Sequence, residues 1–130
     1  MNKLLTILPS LKLSLDASKA NQDALSISLA LGGEDGDAMF AVYDGHGALG
    51  HDCAIFAMKQ LPRSVSKFII QKRSQQHLAK LKAEGKSTKG AWNPKIWPML
   101  DVEQYEDSCR KAFIATNKMM HDEKTVSDKS

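Results

Sequence analysis

The sequence has little of what a membrane-spanning, secreted or disulfide-rich protein needs. No uninterrupted apolar run approaches the roughly 20 residues that cross a bilayer. The opening MNKLLTILPSLKLSL is too short and too broken by Pro9 for a secretory signal, and its lack of Arg disfavours a transit peptide. There are only two cysteines, Cys53 and Cys109, which we expect to be reduced thiols on helices rather than a disulfide or a metal pair. We therefore expect an intracellular protein, cytoplasmic or nuclear, with no membrane partner.

The chain of 130 residues is long enough for one modest domain. ALSISLAL at 24–31 alternates leucine and isoleucine with small or polar residues, which predicts a half-buried strand. GGEDGD at 32–37 predicts a turn, and 38–43 predicts a second strand, antiparallel to the first and buried on both faces. Because two strands alone are marginal in water, we expect further strands from LLTILPSLKLSL near the start or from beyond Ser130.

Helical patterns follow the second strand. LGHDCAIFAMKQL at 49–61 predicts a helix that Pro62 ends or kinks, and 63–84 predicts a separate, basic amphipathic helix. The second of these has a sparse apolar stripe: Val65, Phe68, Ile69, Leu78 and Leu81. The loop at 85–98 contains two tryptophans, Trp92 and Trp97, which we expect to pin it to the domain.

The last helix has a clear start signal. Asp101 is a good N-cap, and Gln104 three residues later completes a pattern similar to a capping box. The predicted inner face of this helix consists of Val102, Tyr105, Cys109, Ala112, Phe113, Thr116 and Met120.

Asp44-Gly45-His46-Gly47 directly follows the second predicted strand. A strand end holds the Asp44 carboxylate rigidly, and Gly45 allows a sharp turn with a carbonyl available for coordination. Such oxygen ligands suit magnesium or manganese rather than zinc. His46, beside them, could protonate a leaving oxygen. On spacing alone, a simple turn with a surface histidine accounts for these residues equally well.

The surroundings of this turn carry a resemblance. VYDGHG at 42–47 follows NQD at 21–23 by a strand, a turn and a strand, and GHDCAIFAMKQLP and CRKAFIATNKMMHDE follow in order. Together they resemble the type 2C, metal-dependent Ser/Thr protein phosphatases of the PPM family, over roughly residues 17–128. The first of the two helical stretches looks like that of the plant- and protist-like branch.

The resemblance implies an α+β fold, the N-terminal portion of a two-layer antiparallel β-sandwich flanked by helices, incomplete in this chain. It divides the chain into an N-terminal segment (1–16), the metal-site strands and first helix (17–61), a basic insertion (62–98) and the second helix with its tail (99–130).

The resemblance also implies roles for individual residues. Asp44 matches the metal ligand that bridges two Mg or Mn ions, Gly45 the carbonyl ligand and His46 the general acid, so Asp44 and His46 are the catalytic candidates. Asp23 and Gln22 match the metal shell, although many members have a glutamate where this chain has Gln22, whose amide brings no charge. Lys19, near the position of the family's phosphate-binding arginine, is the candidate for substrate phosphate.

The function that the resemblance implies is dephosphorylation of phosphoprotein substrates by a monomeric enzyme. The family continues with S-G-T-T-A and later acids that complete the binuclear site, and this sequence does not contain them. We therefore expect an N-terminal fragment that is weakly active or inactive alone. The alternative is a non-catalytic pseudophosphatase or regulatory binding module.

Charge is concentrated in one segment of the chain. Residues 59–95 contain ten Lys and Arg against one acid, Glu84, whereas the flanking segments are acidic and the whole chain has a net charge of +3. No nucleic-acid-binding motif accompanies these charges, so we expect no nucleic-acid partner and favour a solvated insertion. Docking of acidic phosphoproteins through Lys72, Arg73, Lys80 and Lys82 stays open as an alternative.

Overall fold

A computed structural model describes the backbone of residues 3–7 and, with side chains, residues 22–122. The fold is α+β, as expected from the sequence. Its elements are the strands β1 (Lys3–Ile7), β2 (Ala24–Leu29) and β3 (Ala38–Tyr43) and the helices α1 (Gly50–Ala83) and α2 (Val102–Asp122), with short 3₁₀ turns at Leu31–Gly33 and Pro94–Ile96.

The three strands form one antiparallel sheet in the order β1-β2-β3. The predicted hairpin is confirmed, with Ala24 opposite Tyr43 and Leu29 opposite Ala38. Of the two sources expected for further strands, the N-terminal segment supplies one, because β1 pairs with β2 along its whole length. Within the described residues this is the only sheet, so the second layer of the expected sandwich is not seen there.

β2 is half-buried, as predicted, but the expected burial of β3 on both faces is wrong. The residues of β2 that face α1 are the small ones, Ala24, Ser26 and Ser28, and not its leucines. In β3, one face is open to solvent, because the side chains of Phe40 and Val42 are 72% and 77% exposed. Small residues on β2 allow α1 to approach the sheet closely, and the large side chains of the helix then fill the core between them. The result is a sheet with α1 on one face, α2 packed against α1, and an apolar face turned outward.

α1 runs through Pro62 without interruption, so the expectation that Pro62 ends the helix is wrong. Proline inside a helix removes one hydrogen bond and costs about 3 kcal/mol. Here Pro62 is buried beside Leu61 and Val65, which belong to the same core, and we infer that this packing offsets the loss. The expected segment boundary between residues 61 and 62 therefore falls inside a single helix.

Arg73 connects α1 to two loops. Its side chain is fully buried and donates hydrogen bonds to the carbonyl oxygens of Gly32 (2.7 Å), Pro94 (2.9 Å), Trp97 (3.1 Å) and Pro98 (3.1 Å). This contradicts the sequence-based inclusion of Arg73 in a docking surface. The sequence pattern does not reveal this burial. The carbonyls that accept hydrogen bonds from Arg73 belong to loops that are distant in sequence, and a local pattern contains no sign of them.

Both tryptophans were expected to pin the loop at 85–98 to the domain, but only one of them does. Trp97 is 4% exposed and lies under the Arg73 guanidinium, 5.9 Å from the centre of its ring. Trp92 is 71% exposed and meets Trp97 edge to face, with 4.8 Å between the ring centres.

The predicted capping box of α2 is confirmed in both directions. The Gln104 backbone N–H donates to Asp101 Oδ1 (2.8 Å), and the Asp101 N–H donates to Gln104 Oε1 (3.0 Å). The inner face is narrower than expected and consists mainly of Ser108, Ala112 and Thr116. Val102 and Phe113, which we expected inside, are exposed.

The helices α1 and α2 also bear on the predictions about the cysteines and about a membrane-spanning segment. Cys53 on α1 and Cys109 on α2 are both unpaired thiols, as predicted, and burial raises the pKa of Cys109. In the part of the chain that the structure describes, neither helix combines the length and the apolar character needed to cross a membrane.

Candidate functional site

The candidate site begins where β3 ends, at Tyr43. This residue is buried in the core, and its hydroxyl lies 2.9 Å from the Ser26 hydroxyl on β2. Burial raises the pKa of Tyr43. Asp44 is the next residue along the chain, and its backbone is therefore held by a strand that is itself anchored in the core.

The turn after β3 is packed tightly against the start of α1. A side chain at Gly45 would collide with the carbonyl oxygen of Gly50 and would lie 2.6 Å from the carbonyl oxygen of Gln22. A side chain at Gly50 would lie 2.5 Å from Gln22 Oε1. Both glycines are therefore required, because the backbone approaches them closely. This close approach fixes the turn against α1 and against Gln22, two residues before β2 begins.

Gln22 ties the turn together. Its Nε2 donates a hydrogen bond to the Gly47 carbonyl oxygen (2.9 Å), which also accepts from the Gly50 N–H (3.2 Å). Gly47 has a left-handed φ of 78°, which a residue with a side chain adopts only at a cost. The sequence-based expectation placed Gln22 in a metal shell. In this structure its side-chain amide nitrogen helps to hold the shape of the turn.

Asp44 and His46 lie side by side on the outer surface of the turn. His46 Nδ1 is 3.4 Å from Asp44 Oδ1, and the side chains of Asp44 and His46 are 71% and 81% exposed. A carboxylate beside Nδ1 orients the imidazole, so that the opposite nitrogen is available to a bound molecule. Chemically, this pair can accept or deliver a proton at the protein surface.

Asp23 lies at the same end of the sheet as Asp44. It directly precedes Ala24, which pairs with Tyr43, so the two aspartates extend from neighbouring strands at one edge. Gln22, Asp23, Asp44, Gly45 and His46 are thus brought to one region by the hairpin. Lys19, the candidate for substrate phosphate, lies outside the described residues.

The donor types in this region suit a hard cation, but their number does not suffice. Carboxylate and carbonyl oxygens are the ligands that magnesium and manganese prefer. Among residues 22–122, however, no three His, Cys, Asp or Glu side chains are close enough to hold a metal ion together. The described residues alone therefore do not form the binuclear centre that the resemblance implies.

Two features of this region were not predicted. One is the contact between Gly45 and Gly50, for which the only sequence signal is a glycine at the first position of a long helix. The other is the structural role of Gln22, which has no signal in the local sequence because its partner is 25 residues away.

Comparisons of this chain with protein-family models, with curated proteins and with solved structures found no match. The assignment to the type 2C phosphatases therefore stays a prediction from the motifs.

Proposed function

We propose that this chain is part of a metal-dependent protein serine/threonine phosphatase and contributes one edge of its catalytic site. The observation that carries the proposal is the placement of Asp23 and Asp44 at the same ends of paired strands, with His46 beside Asp44. This agrees with the order of motifs in the type 2C family, where an upstream acid and Asp-Gly-His-Gly share a metal site.

In this proposal His46 donates the proton to the leaving oxygen of the substrate, and Asp44 both orients the imidazole and supplies a metal-ligand carboxylate. Two Mg or Mn ions require further carboxylates, which the described residues do not provide. We propose that these come from a segment outside the described residues or from another polypeptide. No chemical step can be assigned to the metal from the residues present.

The outward apolar face of the sheet supports an incomplete domain. Phe40 and Val42 on β3 are largely exposed, and Leu29 on β2 is 39% exposed. A contiguous apolar sheet face is normally covered. The second sheet of the implied β-sandwich would cover this one and would bring its own residues to the edge where Asp44 lies.

Manganese binding tests the metal part of the proposal on the full chain. Amide signals of residues 44–47 should broaden selectively when paramagnetic Mn²⁺ is titrated into ¹⁵N-labelled protein, and Asp44→Asn should abolish this effect. Asp52→Asn, which changes another exposed aspartate close by on α1, is the matched control and should leave the broadening unchanged. Equal broadening in the Asp44→Asn variant would refute a site at this turn.

Activity tests the catalytic part. The longest polypeptide of this reading frame should hydrolyse a phosphothreonine peptide in the presence of Mn²⁺, and His46→Ala should reduce kcat by about 10²- to 10⁴-fold. His51→Ala, at an exposed histidine on the first turn of α1, should leave kcat unchanged.

A non-catalytic binding module is the second candidate, and one observation favours it. Gln22 occupies a position where the family often has a glutamate, and its amide is already used in the turn. Selective Mn²⁺ broadening without any phosphatase turnover would favour this candidate over the enzyme.

A further inference from the structure

The C-terminal half of α1 and the loop that follows it enclose a pocket of about 210 Å³, far along the helix from the candidate site. Leu78 of α1 forms one wall, and Ala91, Trp92 and Trp97 of the loop form the others. The volume suits one aliphatic or aromatic side chain. Neither the proposed phosphatase site nor the packing of the fold accounts for an open apolar pocket at this place.

Two of the polar groups that line this pocket donate hydrogen bonds within the protein. The Ser74 hydroxyl donates to the Gln71 carbonyl oxygen (3.0 Å), and Trp97 Nε1 donates to the Ala91 carbonyl oxygen (3.1 Å). An apolar side chain can therefore enter without leaving these donors unpaired. A nucleobase would find few partners for the polar atoms on its edges.

Trp92 lines the pocket and exposes a large part of its ring to solvent. Its ring is 71% exposed although it already contacts Trp97 edge to face. Exposed tryptophans beside an apolar pocket are typical anchors of protein interfaces, since the ring buries a large area with few rotatable bonds.

Lysines are frequent in the segment that forms this pocket. The segment 74–98 contains five exposed lysines: Lys80, Lys82, Lys86, Lys89 and Lys95. The only acid in it, Glu84, is paired with Lys86 at 2.8 Å. Lys80 and Lys86 also line a second concavity of about 220 Å³, together with the exposed Ile96. The segment that forms the pocket is thus strongly basic, whereas the pocket is lined largely by apolar side chains.

We propose that this groove docks an acidic peptide segment of a partner protein, with one apolar or aromatic side chain of the peptide inserted beside Trp92. Charge complementarity selects the acidic flanks, and the dry pocket selects the anchor. The segment that forms the pocket contains lysines and no exposed arginine, and the Ser74 hydroxyl and the Trp97 indole N–H already donate within the protein. These features favour an acidic peptide over a nucleic acid. This inference does not depend on the phosphatase proposal.

Fluorescence anisotropy on the full chain tests the proposal. The probe is a dye-labelled peptide of aspartate and glutamate with one central phenylalanine, and the reference is the same peptide with alanine at the centre. We expect the phenylalanine peptide to bind about tenfold more tightly. Trp92→Ala should weaken its binding about tenfold or more, and Lys82→Ala with Lys89→Ala should weaken it about threefold to tenfold. Added salt should weaken binding further.

Two matched controls separate the groove from general surface effects. Phe113→Ala removes another exposed aromatic ring, on α2, and Lys59→Ala with Lys118→Ala removes two exposed lysines elsewhere. Both should leave the affinity within about twofold. If Trp92→Ala alters the circular dichroism spectrum, Ala91→Gln provides an independent test, because it fills the pocket and should weaken binding similarly.

Three outcomes would overturn the proposal. The first is no measurable binding of the phenylalanine peptide, and the second is equal affinity of the wild type and of folded Trp92→Ala. The third is tighter binding of a labelled oligouridine than of the peptide, with sensitivity to Trp92→Ala, which would assign the groove to single-stranded nucleic acid.

Discussion

Replacement of Arg73 by methionine should destabilise the protein more than any other change of a basic residue in α1. The guanidinium is fully buried, and each of its three nitrogens donates to a main-chain carbonyl. Methionine has a similar length but no donor, so the loops at 31–34 and 94–98 would lose their common link to the helix.

The magnitude follows from the contacts. Glu34 is the only carboxylate near the Arg73 side chain within the described residues, at 3.6 Å, and it is partly exposed, so water can solvate it after the substitution. The four carbonyls bonded to Arg73 are partly or fully buried and would lose a charged donor. Each buried carbonyl left without its donor costs about 1–3 kcal/mol, so losing these bonds together should cost about 3–5 kcal/mol. That is a large part of the roughly 5–15 kcal/mol that stabilises a domain.

Urea denaturation measures this loss. For a slope of about 1–3 kcal/mol per molar in urea, the midpoint for Arg73→Met should fall by more than about 1 M. Arg73→Lys keeps the charge but lacks the planar fork, and should lose roughly half as much. Arg63→Met, at an exposed position of the same helix, should change the free energy of unfolding by less than about 0.5 kcal/mol. A loss for Arg73→Met as small as that for Arg63→Met would refute the reasoning.

Three further predictions concern the turn, a helix cap and a tyrosine. Gly45→Ala should lower the free energy of unfolding by about 1–3 kcal/mol, because the added methyl group collides with Gly50 and Gln22. Gly36→Ala is the control and should not lower it, because nothing lies within 4 Å of a methyl group there. Equal urea midpoints for the two variants would contradict this reasoning. Asp101→Ala should cost about 1 kcal/mol and increase hydrogen exchange in the first turn of α2, and unchanged exchange would count against the cap. Burial and Asp37 raise the pKa of Tyr105 to about 12 from 10.0, so its contribution to stability is complete below pH 10 and is lost as the pH rises towards 12. Tyr105→Phe should remove this part of the pH dependence in alkaline unfolding experiments, and an unchanged profile would be evidence against it.

The parts of the fold that depend on local patterns were predictable from the sequence. The capping box at Asp101 is satisfied by atoms three residues apart, and the hairpin follows from two strands joined by GGEDGD. The region that contains Gln22, Asp44 and His46 was predictable as well, because it follows directly from the pairing of β2 with β3. Local order thus fixed the outline of the candidate site.

The parts that depend on distant contacts were not predictable. The burial of Arg73 requires carbonyls that lie between 21 and 41 residues away. The orientation of β2 requires knowing that α1 packs against the serines and not against the leucines, and an alternating pattern does not say which face meets a helix. Pro62 was expected to end or kink the helix because its cost is local, whereas the packing that we infer to offset it comes from the whole core.

The candidate site and the proposed groove lie near opposite ends of α1, which links the two proposals in a measurable way. Gly50 contacts the turn with Asp44, and Leu78 lines the groove, 28 residues further along the helix. At 1.5 Å per residue these positions are about 42 Å apart along the helix axis. An extended peptide covers about 3.3 Å per residue, so about 13 residues must separate a docked anchor from a phosphoresidue at Asp44.

We therefore expect phosphopeptides with an acidic, phenylalanine-containing anchor to gain kcat/KM only when the spacer exceeds roughly 13 residues. The longest polypeptide of the reading frame should show this gain, and Trp92→Ala should abolish it without changing kcat for a peptide that lacks the anchor. A gain that is equally large with a spacer of about five residues would contradict this geometry, because such a peptide covers only about 17 Å.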